Sequence, residues 1–101
     1  MSYVMLYKTK VKPDKIEEMK NLSAQFFKLY QEHGIKVLGH WTRIDKPTRN
    51  YLMIEYESEA DYTTKVEKLR NDERYQELSN QLEKIREDIK IKRLQPSGVM
   101  V

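Results

Sequence analysis

Two stretches of this chain are apolar at every position instead of at alternate ones: Val4-Met5-Leu6-Tyr7 and Tyr51-Leu52-Met53-Ile54. Successive side chains of a strand point to opposite faces, so a strand with one wet face alternates apolar and polar residues. Short stretches without that alternation belong to strands covered on both sides. A further strand, expected over about Ile35 to Ile44, fits the same pattern. Val37 and Leu38 are adjacent there, and Trp41 and Ile44 fall on opposite parities. Whatever the 101 residues form, both faces of the sheet need cover.

The remaining elements follow from periodicity and punctuation. Tyr3 to Val11 is rich in aromatic and β-branched residues and reads as the first strand. Lys12-Pro13-Asp14 ends it, with proline placed where a helix's first turn needs no N–H. Ile16, Met19, Leu22, Phe26, Leu29 and Tyr30 recur at helical spacing, and Gly34 offers a left-handed C-cap. Asp45 to Asn50 is a turn cluster of hairpin length, and Tyr51 to Tyr56 is the third strand. Ser58-Glu59-Ala60-Asp61 matches a capping box and opens a helix to about Arg70. Asn71-Asp72 interrupts it, and Asp72 can cap a second piece. That piece carries Tyr75, Leu78, Leu82, Ile85 and Ile89 at spacings of three and four. Lys90 to Leu94 is the last strand, with Ile89 assignable to either element.

This order is βαββαβ with a broken second crossover, the α+β arrangement called ferredoxin-like, with a four-stranded antiparallel sheet. Residues 1–96 are expected to form one domain and 97–101 a C-terminal tail. Right-handed crossovers place both helical layers on one sheet face. The other face is left bare, although the strands are apolar toward it. Soluble monomers rarely expose such a patch, and twofold self-pairing is the commonest assembly. The expected object is therefore a homodimer joined through the helix-free sheet face, a dimeric α/β barrel.

Composition removes several function classes. The chain has no cysteine, which rules out disulfides, thiolate nucleophiles and zinc–sulfur sites and fits a cytoplasmic protein. A net charge of +3, with both signs mixed along the chain, is far from a nucleic-acid-binding tail or a polybasic membrane patch. No apolar run approaches the roughly 20 residues of a membrane span, and no secretory leader is expected at the N-terminus. The RNA recognition motif shares the strand–helix order, but its third strand needs a basic-Gly-aromatic signature. Asn50-Tyr51-Leu52-Met53-Ile54-Glu55-Tyr56 has neither the glycines nor the basic start, so no nucleic-acid partner is expected. Phosphate-binding loops, nucleophile elbows and His-Glu-x-x-His are absent, and two histidines seven apart make a poor metal pair. No metal or cofactor is expected.

Four short motifs, in order, resemble the NIPSNAP-type members of the dimeric α/β-barrel superfamily. They are Val11-Lys12-Pro13-Asp14-Lys15 leading into an amphipathic helix, Val37-Leu38-Gly39-His40-Trp41-Thr42, Tyr56-Glu57-Ser58, and Asn71-Asp72-Glu73-Arg74-Tyr75. The resemblance spans most of the chain. It implies the ferredoxin-like fold and the paired barrel, with antibiotic-biosynthesis-type monooxygenases and haem-degrading enzymes as more distant relatives. It names no settled activity. The first strand departs from the family pattern: in place of a charged Glu-x-x-Arg-like stretch it carries Met5-Leu6-Tyr7.

The candidate ligand-binding residues are Tyr7, His40, Trp41, Glu55 and Tyr56. His40 and Trp41 are strand neighbours and share a pocket only if a bulge intervenes at Gly39. Otherwise Trp41 anchors a core or interface and His40 lies on the opposite face. Glu55 inside a barrel would have a raised pKa and could act as a general base. At a rim it would pair with a basic residue such as Arg43. Tyr3, Tyr7, Tyr51 and Tyr56 either line a pocket with hydroxyl donors or pack at an interface. Three functions remain open: a barrel that binds a small hydrophobic or aromatic molecule in a pocket between sheet and helices or inside the barrel, a cofactor-independent monooxygenase of the antibiotic-biosynthesis type, and a structural or interaction module without a ligand. Two or more convergent polar side chains in the interior would favour the enzyme, and an apolar or filled interior the others.

Overall fold

The computed structural model describes residues 2–98. Four strands, β1 (Tyr3–Val11), β2 (Lys36–Thr42), β3 (Arg49–Tyr56) and β4 (Arg86–Leu94), form one antiparallel sheet in the order β2-β3-β1-β4. Helix α1 (Ile16–Glu32), entered through a short 3-10 turn at Pro13–Lys15, connects β1 to β2. Helices α2 (Glu59–Arg70) and α3 (Glu73–Ile85) make the second crossover. This is the ferredoxin-like α+β fold.

The helix ends are held as their residues dictate. Gly34, at φ +67°, lets its N–H reach the Gln31 carbonyl at 3.1 Å, while Ile35 N–H reaches that of Tyr30 at 2.9 Å. That pair of bonds is a Schellman cap. Ser58 Oγ accepts from Asp61 N–H at 3.0 Å, and the Asp61 carboxylate accepts from Glu57 N–H at 3.0 Å. Asp72 caps α3 by accepting from Arg74 N–H at 2.9 Å. The apolar stripe of α1 buries Met19, Leu22, Phe26, Leu29 and Tyr30. These pack with Met5, Ile54 and Tyr56 from the sheet and with Leu69, Leu78 and Ile85 from the other helices.

The ladder assigns each strand residue to a face. Met5 pairs with Ile54 and Tyr7 with Leu52, facing the helices. Val4 pairs with Glu55 and Leu6 with Met53, facing away. The helix-free face thus presents Val4, Leu6, Met53, Tyr51, Trp41 and Leu94, bordered by Lys36, Lys90 and Lys92. Leu38, Trp41 and Leu94 are exposed large apolar side chains in the single chain.

Three boundaries differ from the sequence expectation, the first being the start of β3, which takes in Arg49 and Asn50 from the expected turn. β2 ends at Thr42, and Ile44 lies fully exposed beyond it, so Ile44 adds nothing to either sheet face. In the turn that follows, Arg43 pairs with the Asp45 carboxylate at 2.7 Å, and the Arg43 backbone N–H still reaches the Arg49 carbonyl at 3.2 Å. α3 stops at Ile85, and Arg86 to Ile89 belong to β4, captured by pairing with Val11, Lys10 and Thr9 of β1. Of the expected tail 97–101, residues 99–101 lie outside the described residues.

Candidate functional site

Between the sheet and its helices lies a cavity of about 900 Å³. Its floor is the helix-facing row of the sheet, including Tyr7, Leu52, Tyr56, His40, Ile89 and Ile91. Its roof comes from Phe26 and Tyr30 of α1, Tyr62 and Val66 of α2, and Tyr75 and Leu82 of α3. Ile91 faces the helices yet remains 51% exposed, so the cavity opens along the β4 edge.

Aromatic rings dominate the walls. Tyr62 packs edge-on to Tyr56 at 5.1 Å and stacks on Tyr3 at 5.3 Å. Phe26 meets Tyr75 edge-on at 5.8 Å and Tyr30 in a stack at 6.1 Å. Such contacts fix ring positions beyond what burial alone does. Burial is the main force raising the phenol pKa of Tyr7, reinforced by the phenols of Tyr62 and Tyr75 and opposed by the Arg70 cation. Burial likewise raises Tyr30 and Tyr56, with neighbouring phenols adding to it. These hydroxyls stay protonated at neutral pH and can only donate or accept hydrogen bonds; they are not bases. Thr9 and Asn50, opposite each other in the ladder and both buried, add polar groups at the far end. Asn50 Nδ2 donates to the Thr48 carbonyl at 3.3 Å.

Of the sequence candidates, Tyr7, His40 and Tyr56 come together in this cavity. His40 sits at an open end, and partial burial lowers its pKa, favouring the neutral imidazole. Trp41 and Glu55 lie on the other face. A bulge does interrupt β2, but it falls between Val37 and Gly39, before His40, so His40 and Trp41 keep opposite faces. Trp41 lies back over Gly39, where a Cβ would collide with the indole ring. In the single chain Glu55 lies at the surface of that face and is paired. The Lys36 ammonium, 3.2 Å away, holds its carboxyl below the usual range. Arg43, the partner expected from sequence, is taken by Asp45.

Sequence reading missed Tyr30, Tyr62 and Tyr75 as cavity residues, because at helical spacing a tyrosine looks like core. It also missed Thr9 and Asn50. Thr9 was reachable, since it lies two residues from Tyr7 and shares its face. His33 is outside the cavity, its Nε2 2.9 Å from Asp72 Oδ2. Among the described residues, no three His, Asp or Glu side chains gather as metal ligands, and no helix is long and apolar enough to cross a membrane.

The sequence matches no protein-family profile and no curated protein. Solved structures do match. A NIPSNAP family protein from Agrobacterium tumefaciens superposes with a TM-score of 0.87 at 19% identity, covering 97% of this chain and 95% of its own. An uncharacterised NIPSNAP-like domain protein from Burkholderia xenovorans gives 0.85 at 14% identity, covering 99% and 89%. A putative antibiotic biosynthesis monooxygenase from Nitrosomonas europaea gives 0.76 at 21%, covering 94% and 98%. The chain therefore has the ferredoxin-like fold of NIPSNAP structures, a fold also used by monooxygenase-type proteins. Fold alone does not assign a reaction.

Proposed function

We propose that this chain is a NIPSNAP-type cytoplasmic homodimer that binds a small hydrophobic or aromatic molecule in the cavity between its sheet and helices. The cavity itself carries the reading. Its volume, about 900 Å³, lies within the roughly 300–1,000 Å³ typical of ligand pockets. Its walls combine ring faces with the phenol hydroxyls of Tyr7, Tyr30, Tyr56, Tyr62 and Tyr75. Pairing would proceed through the helix-free face, whose apolar side chains lack any helix to cover them.

Native mass spectrometry of the purified protein tests the binding. The wild-type chain should carry a small molecule that denaturation releases. Ser79→Phe, which places a ring in the cavity from α3, should lose it while keeping the circular dichroism of the parent. Retention of the molecule by a folded Ser79→Phe protein would contradict the assignment.

A second reading has its own support. The cavity brings together Tyr7, Tyr56, Thr9, Asn50 and His40, meeting the criterion of convergent polar groups, and His40 is the one among them able to accept a proton near neutral pH. That combination suits a cofactor-independent monooxygenase acting on a phenol or quinol. His40 would take the substrate proton, and dioxygen would be the oxidant. Oxygen uptake with a hydroquinone panel, abolished by His40→Ala, would favour the enzyme. Binding without oxygen uptake would favour the carrier.

A further inference from the structure

We infer that the molecule held in this cavity is a hydrophobic carboxylate whose anionic group is bound at the β4 edge by Arg70 and Arg93. The inference rests on the binding role proposed above and specifies the ligand's chemistry.

Arg70 ends α2, and Arg93 lies on the helix-facing side of β4, opposite Met5 in the ladder. Both line the cavity. Arg93 is two residues from Ile91, whose exposure marks the opening, so its guanidinium stands at the mouth. Arg70 is near enough to the Tyr7 phenol to act on it electrostatically. Among the other arginines, Arg43 pairs with Asp45, Arg74 with Asp72 and Glu32, and Arg86 with Glu83, while Arg49 lies outside the cavity lining. Neither Arg70 nor Arg93 makes an ion pair among the described residues. The acidic side chain that lines the cavity, Glu83, is already bound to Arg86. The uncompensated charge of the lining is thus positive and lies on two exposed side chains, while most of the remaining wall is aromatic and aliphatic.

A guanidinium presents a planar fork of donors that matches a carboxylate. Two of them at the rim of an apolar cavity suit a ligand with a hydrophobic body and one anionic end. The body would lie among the rings of Phe26, Tyr30 and Tyr75. Phenol donors such as Tyr7 would supply any further hydrogen bonds, and their raised pKa keeps them from adding a competing negative charge.

Calorimetric titration with matched probe pairs separates this inference from the one beneath it. The pairs are octanoate with octanamide and 2-naphthoate with 2-naphthamide, equal in shape and different in charge. The wild-type chain should bind each acid about tenfold or more tightly than its amide, as the loss of charged hydrogen bonds implies. The double variant Arg70→Gln/Arg93→Gln should bind both members of a pair about equally. The preference should also shrink as salt is raised. Equal binding of acid and amide by the wild type would overturn the carboxylate inference and leave the cavity reading intact. Binding of neither member of either pair would count against both. Both arginines are exposed, so the variant should keep the parent's circular dichroism and melting temperature, and an undiminished acid preference in it would also overturn the assignment.

Discussion

At the scale of single residues, the contact between Trp41 and Gly39 shows how a side chain can need a missing one. The indole occupies the space a Cβ would fill, so Gly39→Ala forces the ring off the sheet. Trp41 is the sole tryptophan, and its emission should shift to the red in that variant; an unchanged spectrum would mean the ring does not rest there. Glu55 shows where sequence reading stopped short. Lys36 shares its face only because the bulge at Leu38 shifts the β2–β3 register by one residue. Without that extra residue Val37 would stand opposite Glu55, and nothing in the residue types announces the bulge. The opposed faces of His40 and Trp41 were legible, since alternation alone requires them. Which of the two looks into a cavity was not, because that depends on where the helices lie.

At the scale of elements, one ionic clip joins the end of α1 to the start of α3. Asp72 caps α3, accepts from Arg74 Nη2 at 2.8 Å and faces His33 Nε2 at 2.9 Å, while Arg74 Nη1 reaches Glu32 at 2.6 Å. The hydrogen bonds from Arg74 and then His33 hold the Asp72 carboxyl well below the usual carboxylate range. A carboxyl depressed in the folded state stabilises above its unfolded pKa, about 3.9, and that contribution is lost as pH falls toward the folded value. Asp72→Asn should therefore melt several degrees below the wild type at pH 7, with a gap that holds to about pH 5 and closes on further acidification. Thermal scans across that range check it, and a gap that widens in acid would contradict it. The cap was legible from Asn71-Asp72, but the partnership with His33, 39 residues away, was not. The α3–β4 boundary was ambiguous for a different reason. Ile85 and Ile89 fit a helical stripe, while Ile89 and Ile91 fit one face of a strand, and pairing with β1 settles the matter.

At the scale of the molecule, the order of apolar periods and turns was enough to specify the fold, because right-handed crossovers leave few topologies for βαββαβ. The cavity was not legible, since it depends on how far α2 and α3 stand above β4. The helix-free face is apolar at Val4, Leu6, Tyr51 and Met53 of β1 and β3, but Lys8 and Glu55 share it and β4 contributes Lys90 and Lys92 there. The patch is thus an island formed by Val4, Leu6, Met53 and Trp41 within a charged border that includes the Lys36–Glu55 pair. Placing a charge in its middle, as in Met53→Lys, should split a pair of copies without unfolding either one, because Met53 lies outside the helix-side core. The unmodified chain offers the most direct check. Multi-angle light scattering at micromolar concentration should give twice the 12.2 kDa chain mass, whereas a lone 12.2 kDa species with that face uncovered would contradict the account.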